Sequence, residues 1–288
     1  MKQLLIASAL AFLAVASPAA QAVPEAPQDK PPATDPQQDK PAPDDRAVNP
    51  SQPDFTIIGL PTTLKMPRFA SAFRVTHRFT RSLGSGDFGD LARELFGFDG
   101  GAQIGLEYRF GIIAGTQLGI HRTSDRTIQF FGQHHLITQG ASPLGVDVVA
   151  SVEGTNNFRD SYSPSLGVVL SRELGRHGAL YAHPIWINNT NKLPAGFGND
   201  NDNDTFIVGL GARLRVRPTV YVVGEAAPRF GYTPDSMYAS FAIEKRAGGH
   251  SFQLNFSNGI GTTPGQIARG GLGGDTWYIG FNITRKFF

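Results

Sequence analysis

Thr205-Phe206-Ile207-Val208-Gly209-Leu210-Gly211-Ala212-Arg213-Leu214-Arg215-Val216 is the stretch on which the fold turns. Phe206, Val208, Leu210, Ala212, Leu214 and Val216 fall on one side of an extended chain. Gly209, Gly211, Arg213 and Arg215 fall on the other. Side chains of a strand alternate between two faces, so this reads as a strand with one apolar wall and one small or charged wall. A tilted strand needs roughly 9–11 residues to cross a bilayer, and this run is long enough.

The same pattern recurs on both sides of it. In 69–80, Phe69, Phe73, Val75 and Phe79 oppose Arg74, Thr76, Arg78 and Thr80. In 102–110, Ile104, Leu106, Tyr108 and Phe110 oppose Gln103, Gly105, Glu107 and Arg109. In 112–121, Ile112, Leu118 and Ile120 oppose Gly115, Gln117, Gly119 and His121. Further strands are expected at 127–137, 145–153, 164–172, 179–187, 219–227, 236–244, 250–257 and 276–285. Of these, 127–137 and 179–187 alternate poorly. Together they make about 12 strands, and single-chain bacterial barrels have even counts. The connections alternate too. Gly111, 138–144, 173–178, Arg217-Pro218 and 245–249 are short, whereas 81–101, 154–162, 188–204, 228–235 and 258–275 are long, with Thr123-Ser124-Asp125 the one short connection on that side. Short turns on one side and long loops on the other are how outer-membrane barrels are built. The expected fold is all-β, an antiparallel up-and-down transmembrane β-barrel over 55–288.

Lys2, the apolar run Leu4 to Val15 and Ala20-Gln21-Ala22 read as a signal peptide over 1–22, with cleavage after Ala22. Residues 23–54 are rich in proline and repeat Gln-Asp-Lys-Pro at 28–31 and 38–41. They are expected to be a disordered periplasmic linker. With no cysteine, disulfides and thiolate chemistry are excluded. A net charge of +2 without basic clusters gives no footprint for nucleic acid. The expected place is the outer membrane of a Gram-negative-type envelope, with linker and C-terminus in the periplasm.

Several stretches carry a family resemblance. They are Leu95-Phe96-Gly97-Phe98-Asp99-Gly100-Gly101-Ala102 running into Ile104-Gly105-Leu106-Glu107-Tyr108, then Gly224-Glu225-Ala226-Ala227-Pro228-Arg229. A third runs from Gly248-Gly249-His250-Ser251-Phe252-Gln253-Leu254-Asn255-Phe256-Ser257-Asn258 to Gly261-Thr262-Thr263-Pro264-Gly265-Gln266. Together they resemble an uncharacterised family of bacterial β-barrel proteins, a domain of unknown function. The resemblance covers nearly all of the chain after the linker. It implies a membrane barrel and no reaction. Outer-membrane barrels also end in an aromatic residue. Trp277, Ile279, Phe281, Ile283 and Phe287 share a phase here, with Phe288 out of it. Outer-membrane lipid and the outer-membrane assembly machinery are therefore expected partners.

Candidate chemistry is sparse. Asn255-Phe256-Ser257-Asn258-Gly259 is similar to the His-x-Ser-Asn-Gly of outer-membrane phospholipases, but Asn255 replaces the base a serine nucleophile needs. The adjacent His134 and His135 point to opposite faces of a strand and cannot share one ion. Asp200, Asp202 and Asp204 alternate with asparagines, yet Thr205 and Gly211 break the EF-hand pattern. No enzyme activity, cofactor or metal is expected. Asp87 to Gly97 reads as a short helix capped by Asp87 in the first long loop, either constricting the mouth or resting at the lipid interface.

The function expected is a channel or porin-like protein for small solutes, lined by Arg74, Arg78, Glu107, Arg109, Gln117, His121, Arg213, Arg215, Glu225 and Glu244. The alternative is a plugged structural or scaffolding barrel whose loops or linker bind a partner. Leu210 is expected to face lipid, and Gly211→Ser, on the opposite face, to cost much less than Leu210→Arg.

Overall fold

The computed structural model describes residues 49–190, 204–231, 236–271 and 276–288. The strands are β1 (Ser71–Phe79), β2 (Ala102–Ile113), β3 (Thr116–Thr123), β4 (Ile128–Ile137), β5 (Gly145–Gly154), β6 (Tyr162–Glu173) and β7 (Gly178–Asn188). They continue with β8 (Asp204–Arg217), β9 (Val220–Ala227), β10 (Arg229–Gly231), β11 (Tyr238–Ala247), β12 (His250–Ser257) and β13 (Tyr278–Phe287). Pro228 has no N–H, which splits β9 from β10 although both pair with β8. Counted as one stave, they leave a closed antiparallel barrel of twelve strands. Closure runs through β1, which pairs with both β2 and β13, so no edge is left unpaired.

The wall keeps the sequence period. Along β8, Phe206, Leu210, Leu214 and Val216 are exposed, whereas Thr205, Ile207 and Arg213 are buried. Leu106, Leu118, Leu166, Leu180, Val222, Phe241 and Leu254 extend the exposed apolar band around the barrel. In β13 the outward phase reaches Phe287, with Lys286 buried. One turn differs from expectation. Gly111 does not end β2; the strand runs on to Ile113 and bulges. Gly111 instead exchanges backbone hydrogen bonds with the chain entering β1: Phe69 N donates to its carbonyl and its own N donates to Ala70. The carbonyl of Pro67 packs where a Cβ would stand, so the position needs glycine.

Residues 51–63 run inside the barrel, entering at the short-turn end, and the chain then passes over the rim into β1, with Lys65, Arg68 and Phe69 exposed. Residues 51–54, which the sequence groups with the linker, are among them: Ser51, Gln52 and Asp54 are buried. Residues 55–62 fold back on themselves, with Thr62 N donating to Phe55 O (2.9 Å) and Ile57 N to Leu60 O (2.7 Å). At the long-loop end, the segment after β12 turns inward and forms the short helix α2 (Pro264–Ala268), whose Gly265, Gln266, Ile267 and Ala268 are buried. Thr263 and Gln266 cap it reciprocally, with Pro264 preset at its first turn. The helix expected after Asp87 forms over Phe88–Arg93, with Asp87 and Asp90 as a capping box. It stays outside the lumen, with none of its residues buried and Phe88 73% exposed.

Candidate functional site

The lumen holds apolar and polar contacts side by side. On the β7–β9 side most inward residues are apolar, Tyr181, Ile185, Ile187, Ile207, Tyr221 and Val223, with His183, Arg213 and Glu225 among them. Ile57, Ile58 and Leu60 of the N-terminal segment pack on them, as do Ile267 and Ala268 of the second inserted segment. These strands are therefore apolar on both faces, packed on the plug inside and exposed at Leu180, Trp186, Phe206 and Val222 outside. Gly209 and Gly211 make room. A Cβ at Gly209 would meet Leu60, and one at Gly211 would collide with Ile57. The expectation that Gly211→Ser costs much less than Leu210→Arg is therefore corrected: the space opposite Leu210 is filled.

Polar wall side chains from β8 and β9, and from β1, β12 and β13 across the lumen, hold the main chain of the plug. Ile58, Gly59 and Leu60 present successive N–H groups to the carboxylate of Glu225, at 3.0, 2.8 and 3.1 Å. Consecutive N–H groups on a turn form a concavity suited to an anion. The carbonyls of the same turn are taken by long wall side chains. Arg74 and Asn282 donate to Ile58 O, Gln253 donates to Ile57 O, and Arg213 donates to Thr56 O at 2.7 Å. Lower down, Lys286 reaches Pro53 O, Tyr221 reaches Pro50 O, and Gln133 reaches Thr62 O. Buried backbone groups must find partners, and here the wall supplies them.

The charged wall residues fall into groups. Glu107 sits with Arg74 (3.5 Å), Arg109 and His121 (3.8 Å), and Arg109 extends toward Gln117 (3.4 Å) and over the ring of Phe131. Arg213 pairs with Glu244 at 2.9 Å. Arg78 is buried and donates to Asn282. Arg215 departs from the rest. It is half-exposed at the short-turn end, where its guanidinium donates to Pro218 O.

The second plug is held separately. Glu153 accepts from Gly265 N (3.1 Å) and from Arg269 (3.0 Å), and Asp125 accepts from Gln266 Nε2 (3.0 Å). Burial pushes the Asp125 carboxyl up, but hydrogen bonds from Thr123 and Thr127 outweigh this and hold it below the usual carboxylate range. The two plugs meet at Gly59, where an added Cβ would stand 2.9 Å from Ile267 Cδ1 and 3.2 Å from Glu225 Oε1. A cavity of 40 Å³ remains beside this junction, lined by residues including Glu107, His183 and Thr262, enough for a few waters.

The other candidates are placed as follows. Ser257 is buried and donates to Gly259 O, and Asn255 is buried beside it, so neither lies on the outer wall. His134 bonds Thr116 on the outside, while His135 meets Asp147 at 2.7 Å. Among the described residues no cluster of three or more His, Asp or Glu could hold a metal. Asp204 begins β8, while Asp200, Asp202, Ala20 and Ala22 lie outside the described residues. The plug residues were missed by strand periodicity. Their signal was the apolar Phe55-Thr56-Ile57-Ile58-Gly59-Leu60 ahead of the first strand.

No curated protein matches the chain. Among solved structures, the NanC porin aligns with 76% of this chain and 99% of its own, at 7% identity and a TM-score of 0.48. Omp33 of Acinetobacter baumannii aligns over 76% and 98%, at 11% identity and a TM-score of 0.39. The outer membrane channel DcaP of the same organism aligns over 76% and 72%, at 10% identity and a TM-score of 0.34. The family model described as a membrane bound beta barrel domain (DUF5777) matches residues 54–287, and this chain belongs to that family.

Proposed function

We propose that the chain is an outer-membrane barrel closed at rest by its own residues, with the N-terminal segment 49–63 as a plug inserted from the periplasmic side. The observation that carries this is the Glu225 carboxylate, which takes three consecutive plug N–H groups in the barrel interior. A solvated pore would have no reason to aim a buried carboxylate at the main chain of a neighbouring segment, whereas a fitted plug does. The orientation rests on the short turns, which are periplasmic in such barrels, and on the export signal. In this reading the lumen charges serve the plug, and porin-like passage of small solutes requires residues 49–63 to leave.

Conductance in a planar bilayer tests it. The full chain should be silent for most of the recording, and a variant lacking residues 49–63 should conduct steadily. Steady conductance by the intact chain would overturn the plugged reading and favour an open channel.

A further inference from the structure

The two ends of the barrel differ in their outward charge. At the long-loop end, cations and anions are mixed, and two of the arginines are paired, Arg81 with Glu94 and Arg93 with Asp90. The five short turns, residues 114–115, 138–144, 174–177, 218–219 and 248–249, contain neither Asp nor Glu. The nearest carboxylates are spent on the lumen side. Glu173 holds Asn49 and Gln52, Asp147 holds His135, and Glu244 holds Arg213. Around the same rim stand Arg172, Arg176, Arg215, Arg217, Lys245 and Arg285. Among the described residues, none of these six makes an ion pair with another side chain.

These cations border the apolar band. Val216 is 57% exposed between Arg215 and Arg217, and Leu174, Val222, Ile243 and Phe287 are exposed beside them. Arg176, His177, Arg215 and Arg217 line an open cleft of about 360 Å³ together with Val216 and Pro218. Arg215 is fixed there by its own turn, donating to Pro218 O at 2.8 and 3.2 Å. Val220 pairs with Arg217 on one side and Lys245 on the other, so these two cations stand two strands apart, about 10 Å.

We infer that this rim binds the phosphates of anionic phospholipids in the leaflet that faces the short turns. The assignment takes its orientation from the proposed function above. Unpaired cations in water gain little by clustering and repel one another. At the margin of an apolar belt, the same cations lie at headgroup depth, where an anionic surface attracts them and long side chains reach outward from the acyl region. Arginine suits phosphate because its planar fork can give two parallel hydrogen bonds. A lipid is a better match than a soluble anion because each cation has exposed apolar neighbours to receive the acyl chains.

The experiment uses the full chain in bilayer nanodiscs of phosphatidylethanolamine with a minor share of phosphatidylglycerol. The readout is the ratio of the two lipids kept by the barrel on transfer to detergent, read by native mass spectrometry. The wild type should keep phosphatidylglycerol at several times its share of the bilayer. The variant R176Q/R215Q/R217Q/K245Q should fall to about that share, and R122Q/R126Q at the other end should behave as wild type. A heat-modifiable band verifies that each variant is folded, and R215Q/R217Q replaces the fourfold variant if that one fails to fold. A wild type without preference, or a preference that survives in the rim variants, overturns the inference. Preference that appears only after residues 23–48 are deleted also overturns it, since the acidic residues of that segment would then be the occupant. Conductance is a separate readout, so failure here leaves the plug untouched, and an open intact chain leaves the lipid ratio to be judged by itself.

Discussion

Two segments fill the lumen, and they are held in different ways. Residues 49–70 continue into the wall at Ser71 alone among the described residues, and their place depends on contacts: Glu225 on the N–H groups, Arg74, Arg213, Gln253 and Asn282 on the carbonyls. The segment 258–271 is anchored in the wall at one end by β12 and passes on toward β13 at the other. It would stay near the mouth even with its contacts cut, because closing a loop between fixed strands confines it. The contrast teaches which plug can act as a gate. A segment that is held by contacts can be released by changing them, while a doubly tethered loop can only loosen.

The strongest test of that contrast is Glu225→Ala. It leaves the N–H groups of Ile58, Gly59 and Leu60 without their acceptor, at about 1–3 kcal/mol for each unsatisfied donor. Relaxation recovers part of this, so the expected loss is about 3–5 kcal/mol in urea unfolding followed by the folded band on cold gels. The variant should also conduct. An unfolding midpoint equal to wild type would mean that the plug is not held where the carboxylate is.

The wall gives the next effect. Leu210 is outward and 47% exposed, so Leu210→Arg should cost about 2–4 kcal/mol if it lies near the bilayer midplane. It should not open the barrel, because nothing of the plug touches that face. Gly211→Ser should cost somewhat less, about 1–3 kcal/mol from overpacking against Ile57. Its cost should vanish in a chain lacking residues 49–63, where Leu210→Arg keeps its full effect. If the serine is as harmful without the plug as with it, the packing of Ile57 on β8 is not the cause.

The same residues explain how much the sequence could tell. The wall was legible because lipid-facing and lumen-facing positions alternate with period two, and β8 shows it from Phe206 to Arg213. The places where alternation weakened were informative. In 179–187 the inward Tyr181, Ile185 and Ile187 are as apolar as the outward Leu180 and Trp186, since they pack on the plug. In 127–137, Phe131 turns inward beside Phe130 and takes the Arg109 guanidinium over its ring at 4.6 Å. Both departures are marks of a filled lumen. The inward phase of Arg74, Glu107 and Glu225 was readable, but their partners were not. Periodicity gives the side of a strand and says nothing about main-chain groups arriving from another segment, which for Glu225 lies 165–167 residues away. Arg215 kept the phase yet reached the rim, because depth depends on where the turn falls as well as on parity.

The smallest effect expected is at the second plug, and it is the one that can break the comparison. Glu153 is at least as buried as Glu225 and also accepts from a plug N–H, that of Gly265, with Arg269 as a second donor. By contacts alone, Glu153→Gln should resemble a lesion at Glu225. Two differences argue otherwise. Glutamine keeps one oxygen that can accept from Gly265, and the Arg269 side chain is 22% exposed, so water can take over part of its solvation. The expected loss is therefore about 1 kcal/mol. The geometry of tethering then decides the conductance. With β12 and β13 still fixing the segment and α2 still packed through Ile267 on the apolar wall, the lumen should stay shut. If Glu153→Gln instead conducts as readily as Glu225→Ala, tethering does not distinguish the plugs, and closure depends on both segments touching at Gly59 and Ile267 rather than on the N-terminal one alone.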